Sequence, residues 1–189
     1  MRMHRILLCA GLWSLTLGAG AVLAQNVNLG KPISAADLAA WDIDVEPDGA
    51  GLPPGNGTSA QGASIFADNC AACHGDGGKG ATTTTSGAPA APPVVSNTKR
   101  NSIDDTTLTI ANYWPSATTL FDYIRRAMPW TSPRTLSDDQ VYALTAYILA
   151  QNKLIDAKEV INAQTLPKVQ MPNRNGFMPR FPERMPPPG

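Results

Sequence analysis

Cys70-Ala71-Ala72-Cys73-His74 is the stretch of this sequence that decides how the rest folds. Two cysteines separated by two residues and followed at once by a histidine are typical of covalent c-type haem attachment. One helical turn and a bend bring both sulfurs within reach of the two vinyl groups on a porphyrin edge. The adjacent histidine is then held beneath the iron. The stretch therefore predicts one haem c, attached through Cys70 and Cys73 and ligated by His74.

Three other interpretations of the cysteine pair are weaker. A thioredoxin-like redox pair requires a preceding strand and a βαβ context, which the surrounding sequence does not offer. A disulfide across two residues would close a very small loop and would stabilise the fold little. A zinc site normally requires four ligands, and beyond residue 24 the chain contains no other histidine or cysteine to complete one.

The N-terminus has the pattern of an export signal. Arg2, His4 and Arg5 precede an apolar run that ends in Val22-Leu23-Ala24, which supplies small residues at cleavage spacing. We expect a signal peptide over residues 1–24 and a periplasmic protein, with an uncleaved membrane anchor as the alternative. Thioether attachment of haem occurs outside the cytoplasm, so the two independent features agree.

Charge and hydropathy exclude some partners. The chain has 15 basic and 15 acidic residues, and removal of residues 1–24 takes away two arginines and no acid, which leaves a net formal charge of −2. No basic block with interleaved aromatic residues occurs, so a nucleic acid partner is not expected. No second apolar stretch is long enough to span a bilayer.

Three helices are predicted in the segment 58–161. The first begins with a capping box at Thr58 and Gln61, and the third begins with Ser137 and Gln140 in the same arrangement. Pro129 stops the second helix. The predicted apolar faces are Ala63, Phe66, Ala67 and Cys70 in the first, Leu120, Tyr123, Ile124 and Ala127 in the second, and Val141, Leu144, Tyr147 and Ile148 in the third, with Leu136 and Val141 as a hydrophobic staple.

A long irregular segment, residues 75–115, separates the first two helices. A loop of this length inside a compact domain requires something other than protein to fill the space that it surrounds. Residues 25–57 are predicted as a polar N-terminal extension with one short helix from Ser34 to Ala40. Residues 162–189 contain seven prolines and are predicted as an arm that forms no regular core. The fold class is therefore all-α, a small class-I-like cytochrome c domain between two proline-rich arms.

The sixth iron ligand cannot be histidine, because His74 is the sole histidine after residue 24. Methionine is the usual ligand in electron-transfer cytochromes, where it raises the potential. The candidates are Met128, Met171, Met178 and Met185. Met128 ends a predicted helix directly before Pro129, and we predict it as the ligand. The other three are better explained as gap-filling core residues.

Residues around the haem are harder to assign. The second ring nitrogen of a ligating histidine usually donates to a carbonyl oxygen, and Pro93 is a candidate for that carbonyl, although it is equally an ordinary loop proline. Arg125 and Arg126 are candidates to neutralise haem propionates, or are simply solvated. Trp114 and Tyr113 are candidates to wall the haem edge, or belong to the core. With both axial positions filled by protein, no open site remains for a substrate, so we expect electron transfer rather than catalysis.

The whole chain resembles the SoxD family of sulfur-oxidation cytochromes. The resemblance is carried by Trp41-Asp42-Ile43-Asp44-Val45, by Tyr113-Trp114-Pro115, by Phe121-Asp122-Tyr123-Ile124-Arg125-Arg126-Ala127-Met128-Pro129 and by Met171-Pro172-Asn173-Arg174. It implies haem attachment at Cys70 and Cys73 with His74 and Met128 as ligands. Some SoxD proteins have a second haem domain, whereas this chain has a single attachment motif.

The resemblance also implies a partner. Proteins of this family are the cytochrome subunits of a sulfane or sulfite dehydrogenase, whose catalytic subunit is a molybdenum protein of the sulfite oxidase type. We therefore expect this chain to accept electrons from such a subunit and to pass them to a further cytochrome c. The alternative is a free-standing, diffusible carrier that serves other periplasmic oxidoreductases.

Overall fold

The structure, a computed structural model, describes residues 30–82, 89–98, 102 and 104–178. It divides into two compact units, one formed by residues up to Asp42 and the other from Ile43 onward. The predicted signal peptide, residues 1–24, and the last part of the predicted C-terminal arm lie outside the described residues.

The N-terminal unit contains one short helix, α1, over Ala35–Trp41. Its N-cap is Ser34, whose hydroxyl accepts a hydrogen bond from the Asp37 backbone N–H at 3.1 Å. This confirms the predicted helix and its cap. Every residue of α1 is exposed, and Trp41 is 80% exposed.

The second unit contains five helices and a two-stranded sheet among the described residues. In chain order the elements are β1 Asn56–Thr58, α2 Ser59–Asn69, α3 Ala71–His74, a 3-10 turn Asp76–Gly78, α4 Ile110–Tyr113, α5 Ala117–Ala127, α6 Asp138–Gln151, β2 Val160–Asn162 and a second 3-10 turn Leu166–Lys168. The all-α class is confirmed, because the two strands are only three residues each.

Two capping boxes start the principal helices, as predicted. In α2 the Thr58 hydroxyl accepts from the Gln61 N–H while Gln61 Oε1 accepts from the Thr58 N–H. Ser137 and Gln140 make the same reciprocal pair at the start of α6. Each box satisfies two backbone groups that the first turn of a helix would otherwise leave unpaired.

The helices α2 and α6 cross at very short range, and a glycine permits it. A Cβ atom added at Gly62 would lie 2.0 Å from the carbonyl oxygen of Ala143 and 2.7 Å from Cβ of Tyr147. The buried positions of α2 are Ser59, Gly62 and Phe66. The predicted apolar face of α2 was therefore wrong in part, because Ala63 and Ala67 are exposed. Gly62, which the apolar pattern did not include, is buried at the contact with α6.

The core lies between α2, α5 and α6. Phe121 on α5 packs against Tyr142 on α6 with ring centroids 4.4 Å apart, and both side chains are fully buried. The Tyr142 hydroxyl donates to the carbonyl oxygen of Pro53 at 2.8 Å. Helix α6 is buried on nearly every side, so its predicted face is confirmed but incomplete; the further buried residues are Tyr142, Ala143, Thr145, Ala146 and Leu149.

Strands β1 and β2 pair antiparallel and join the two ends of the domain. Asn56 faces Asn162 and Thr58 faces Val160, so the predicted boundaries at 57/58 and 161/162 both fall inside the sheet. Strands of three residues are too short to show an alternating pattern.

The start of the predicted C-terminal arm belongs to the core. Leu166 and Met171 are fully buried in the cluster that contains Phe121 and Tyr142. Residues 162–171 therefore do contribute to a core, contrary to the sequence prediction, because prolines between apolar residues prevent a helix without preventing burial. No helix in the part of the chain that the structure describes is long and apolar enough to cross a membrane.

Candidate haem site

The cysteine–histidine stretch forms a sharp corner at the end of α2. Cys70 caps α2, with its N–H donating to the Phe66 carbonyl oxygen at 2.9 Å. The single turn α3 follows, in which the His74 N–H donates to the Cys70 carbonyl oxygen at 2.9 Å. This turn brings Cys70, Cys73 and His74 to the wall of one cavity.

The cavity has a volume of about 360 Å³. Its wall is predominantly apolar and combines α2, α5 and α6 with residues 89–94 and with residues 108–110 at the start of α4. The volume lies in the range of about 300–1,000 Å³ that is usual for sites that bury an organic ligand. Described residues of the long loop, at 89–94, 108–110 and 114, line this cavity, in agreement with the prediction.

His74 is oriented by a hydrogen bond on the far side of its ring. Nδ1 of His74 lies 3.0 Å from the carbonyl oxygen of Pro92, which can only accept, so Nδ1 carries the proton and Nε2 is left for coordination. The sequence predicted the carbonyl of Pro93. That prediction was wrong by one residue: Pro93 lines the cavity, and it is the carbonyl before it that meets the histidine.

Met128 is placed at the same cavity as His74. It caps the end of α5, where its N–H donates to the Ile124 carbonyl oxygen at 3.1 Å, and its side chain is half-buried. Met171 is a core residue, as predicted. Met178 is 92% exposed, so the prediction that it fills a core gap was wrong. Met185 lies outside the described residues.

The two arginines predicted near the haem are engaged elsewhere. Nε of Arg125 lies 3.1 Å from Oδ1 of Asp138, and Arg125 is not among the residues that line the cavity. Arg126 pairs with Asp122 at 2.8 Å and also with Asp44. The placement therefore does not support the prediction that Arg125 neutralises a propionate, because its guanidinium already has a carboxylate partner.

Of the two aromatic candidates, Trp114 and Tyr113, the structure places Trp114 at the cavity. Trp114 lines the cavity and packs edge-on against Tyr123 of α5, with ring centroids 5.6 Å apart. Tyr113 is not among the lining residues and packs against Phe177 at 5.3 Å. Trp114 thus takes the wall position, and Tyr113 joins the C-terminal segment to the domain.

A polar residue that the sequence analysis missed also lines the cavity. Thr109 is 3% exposed and is the N-cap of α4. Its backbone N–H is satisfied by Oδ1 of Asn112 at 2.7 Å. This capping pair of Thr109 and Asn112 lies in the irregular segment 75–115 and was not predicted from the sequence.

The chemistry of the cysteines does not favour the alternatives to haem. Cys70 and Cys73 are not joined by a disulfide, and burial raises the pKa of the Cys70 thiol to about 11, with a further contribution from Cys73. The thiolate is the form that exchanges disulfides, so a thioredoxin-like redox pair is disfavoured at neutral pH. In the described part of the chain no group of three or more His, Cys, Asp or Glu side chains is arranged to hold a metal ion.

The fold and the site together define a cytochrome c domain. The sequence profile of the family described as Cytochrome c matches residues 59–152. A solved structure, described as the crystal structure of the sulfane dehydrogenase SoxCD from Paracoccus pantotrophus, is similar over 84% of this chain and 74% of that chain, at 38% identity and a TM-score of 0.71. A comparison with curated proteins gave no match. The chain belongs to the cytochrome c family, as a Sox-type cytochrome.

Membership of this family implies a covalently bound haem c, and the residues present fit such a group. Two thiols lie on one wall of the cavity, and an imidazole with a free Nε2 and a methionine thioether line the same space. The predominantly apolar wall suits a porphyrin. When bound, haem c supplies reversible one-electron chemistry at its iron.

Proposed function

We propose that Cys70 and Cys73 attach a single haem c and that His74 and Met128 ligate its iron. The observation that carries this proposal is the placement of all four side chains around one apolar cavity. His74 coordinates through Nε2, because the Pro92 carbonyl holds the proton on Nδ1. The apolar wall excludes water, and a neutral thioether ligand favours a higher potential. With both axial positions occupied, the site transfers electrons and makes no substrate bond.

The electron donor in this proposal is the catalytic subunit of a sulfane or sulfite dehydrogenase that contains molybdenum. The generic cytochrome c match ends at residue 152 and covers about half of the chain, whereas the similarity to the SoxCD structure covers 84% of it. The likeness therefore includes segments outside the haem domain, which a free-standing carrier does not need. This extent supports the role of an electron-accepting subunit, which passes electrons to a downstream cytochrome c in the periplasm.

The N-terminal unit is the proposed contact with that subunit. Its side chains Ile33, Leu38 and Trp41 are all exposed although they are large and apolar. Apolar groups concentrated on a short, exposed segment are typical of a surface that a partner covers. Residues 162–189 are a second proposed contact with that subunit. Deletion of this arm would not test the contact, because removal of Leu166 and Met171 would open the core.

Purification of the tagged chain from native periplasm tests the proposal. We expect a stable complex with a second subunit, molybdenum and iron in that complex, and reduction of the haem by sulfite or by protein-bound sulfane sulfur. A chain that elutes alone and that no molybdenum subunit reduces would instead identify a diffusible carrier. A preparation without stoichiometric iron would contradict haem attachment itself.

A single substitution tests the contact. Trp41→Ser should weaken the association with the catalytic subunit at least tenfold and leave the absorption spectrum of the haem unchanged, because Trp41 lies outside the cavity lining. Val160→Thr is the matched control, since Val160 is also exposed but lies in β2. Equal affinity for wild type and Trp41→Ser would exclude this residue from the interface.

A further inference from the structure

Asn152, directly after the last residue of α6, uses a buried side-chain amide to hold a distant loop. The residue is 7% exposed. Its Nδ2 donates to the carbonyl oxygen of Ile148, in its own helix, at 2.8 Å and to that of Val94 at 2.9 Å. Its Oδ1 accepts from the N–H of Ser96 at 3.1 Å. Two of the three hydrogen bonds thus reach the loop, so the side chain does more than cap its helix.

That loop carries the carbonyl group that meets His74. Pro92 and Pro93 have no N–H groups, so neither can anchor the chain through a backbone donor. The anchors lie on either side of them: the Ala91 N–H donates to the Cys73 carbonyl oxygen at 3.0 Å, and the N–H groups of Val94 and Val95 both donate to that of Gly78 at 2.9 Å. Asn152 adds the anchors at the Val94 carbonyl and at Ser96.

The two prolines transmit the position of Val94 to Pro92. Their rings fix φ, and a proline also restricts the residue before it, so the segment from Pro92 to Val94 has little freedom to adjust. A displacement at Val94 therefore moves the Pro92 carbonyl oxygen, which lies 3.0 Å from Nδ1 of His74. Asn152 itself is not among the residues that line the cavity.

We propose that Asn152 is a positioning residue for the axial histidine. By holding Val94 and Ser96 it keeps the Pro92 carbonyl in place, and so it sets the strength of the hydrogen bond from His74 Nδ1–H. This inference rests on the proposed function, in which His74 ligates the haem iron. A firm hydrogen bond at Nδ1 raises the basicity of the ligating imidazole, and a more basic ligand favours the oxidised iron. Asn152 thereby lowers the reduction potential of the site.

The test compares wild type, Asn152→Ala and Asn152→Asp as full-length holoproteins. The aspartate variant keeps the size of the side chain and its acceptor for the Ser96 N–H but loses the donor to Val94. Asn152→Ala, which adds no charge, should have a higher reduction potential than wild type. In Asn152→Ala the Ser96 amide should exchange its hydrogen about tenfold faster, as expected for the loss of one buried hydrogen bond. The Nδ1–H resonance of His74 in the reduced protein should shift upfield in both.

Thr145→Val is the matched control. Thr145 is also buried on α6, but its hydroxyl donates only to the Val141 carbonyl oxygen within the helix, at 2.7 Å. Its potential and its His74 resonance should equal those of wild type. Faster exchange at Ser96 with an unchanged potential and an unchanged His74 resonance would overturn the proposal and leave Asn152 a structural residue. A wild-type protein without histidine-ligated iron would instead refute the proposed function.

Discussion

Substitution of Gly62 by alanine measures how closely α2 and α6 must approach. Helix propensity alone favours alanine by about 1 kcal/mol. The added Cβ would lie 2.0 Å from the Ala143 carbonyl oxygen and 2.6 Å from its carbonyl carbon. Real contacts of a Cβ atom are essentially never shorter than 3.0 Å, so the helices must separate by about 1 Å. The obstacle is backbone, which cannot rotate away as a side chain would.

The packing cost should therefore exceed the gain in propensity. Overpacking of a core costs about 1–3 kcal/mol, and a clash with backbone lies at the upper end of that range. After the gain of about 1 kcal/mol, we expect Gly62→Ala to lower the free energy of unfolding by about 2 kcal/mol. The assay is guanidinium unfolding of the holoprotein, followed by far-ultraviolet circular dichroism.

Ala63→Gly provides the control for propensity. Ala63 is the next residue of the same helix and is exposed, so its substitution changes propensity without changing a contact. It should cost about 1 kcal/mol. If Gly62→Ala proved as stable as wild type, or more stable, the close crossing described above would be incorrect.

Two further predictions concern single side chains of the site and the core. Met128→Ala should abolish the sulfur-to-iron charge-transfer band of the oxidised protein and lower its reduction potential. Met171→Leu, at a buried core position, should leave both the band and the potential unchanged. A band that survives in Met128→Ala would exclude Met128 as the ligand. Tyr142→Phe should cost about 1 kcal/mol of unfolding free energy, because it leaves the Pro53 carbonyl oxygen without the donor that lies 2.8 Å away. Burial, with a smaller contribution from Asp138, raises the pKa of Tyr142 from 10.0 to about 12, so the stability that this residue contributes is complete below pH 10 and is lost as the pH rises towards 12. Denaturation curves between those pH values should fall more steeply for wild type than for Tyr142→Phe, and parallel curves would contradict the assignment.

The helices were predictable because their signals are local. A capping box spans four residues, so Thr58 with Gln61 and Ser137 with Gln140 could be recognised from the chain alone. The attachment motif is equally local, and it indicated that the fold must contain a cavity for a haem. The irregular segment 75–115 was informative because a loop of that length requires something other than protein to fill the space that it surrounds.

What the sequence could not provide depends on contacts between distant residues. The sequence does not show that Arg125 pairs with Asp138, because the two residues are 13 positions apart along the chain. Leu166 and Met171 lie among prolines, and burial without regular structure has no periodic pattern. Pro92 and Pro93 are adjacent residues of the same type. Only the direction of the backbone in the structure shows which of their carbonyl groups faces Nδ1 of His74.

The pairing of β1 with β2 has a consequence for how such a chain acquires new segments. Because Asn56 and Asn162 face each other, the segment before β1 and the segment after β2 begin at nearly the same point of the domain. Domains with adjacent ends tolerate insertion into other proteins and circular permutation. Extra sequence beyond the buried residues Leu166 and Met171 can therefore be gained or exchanged while the porphyrin-binding interior keeps its shape.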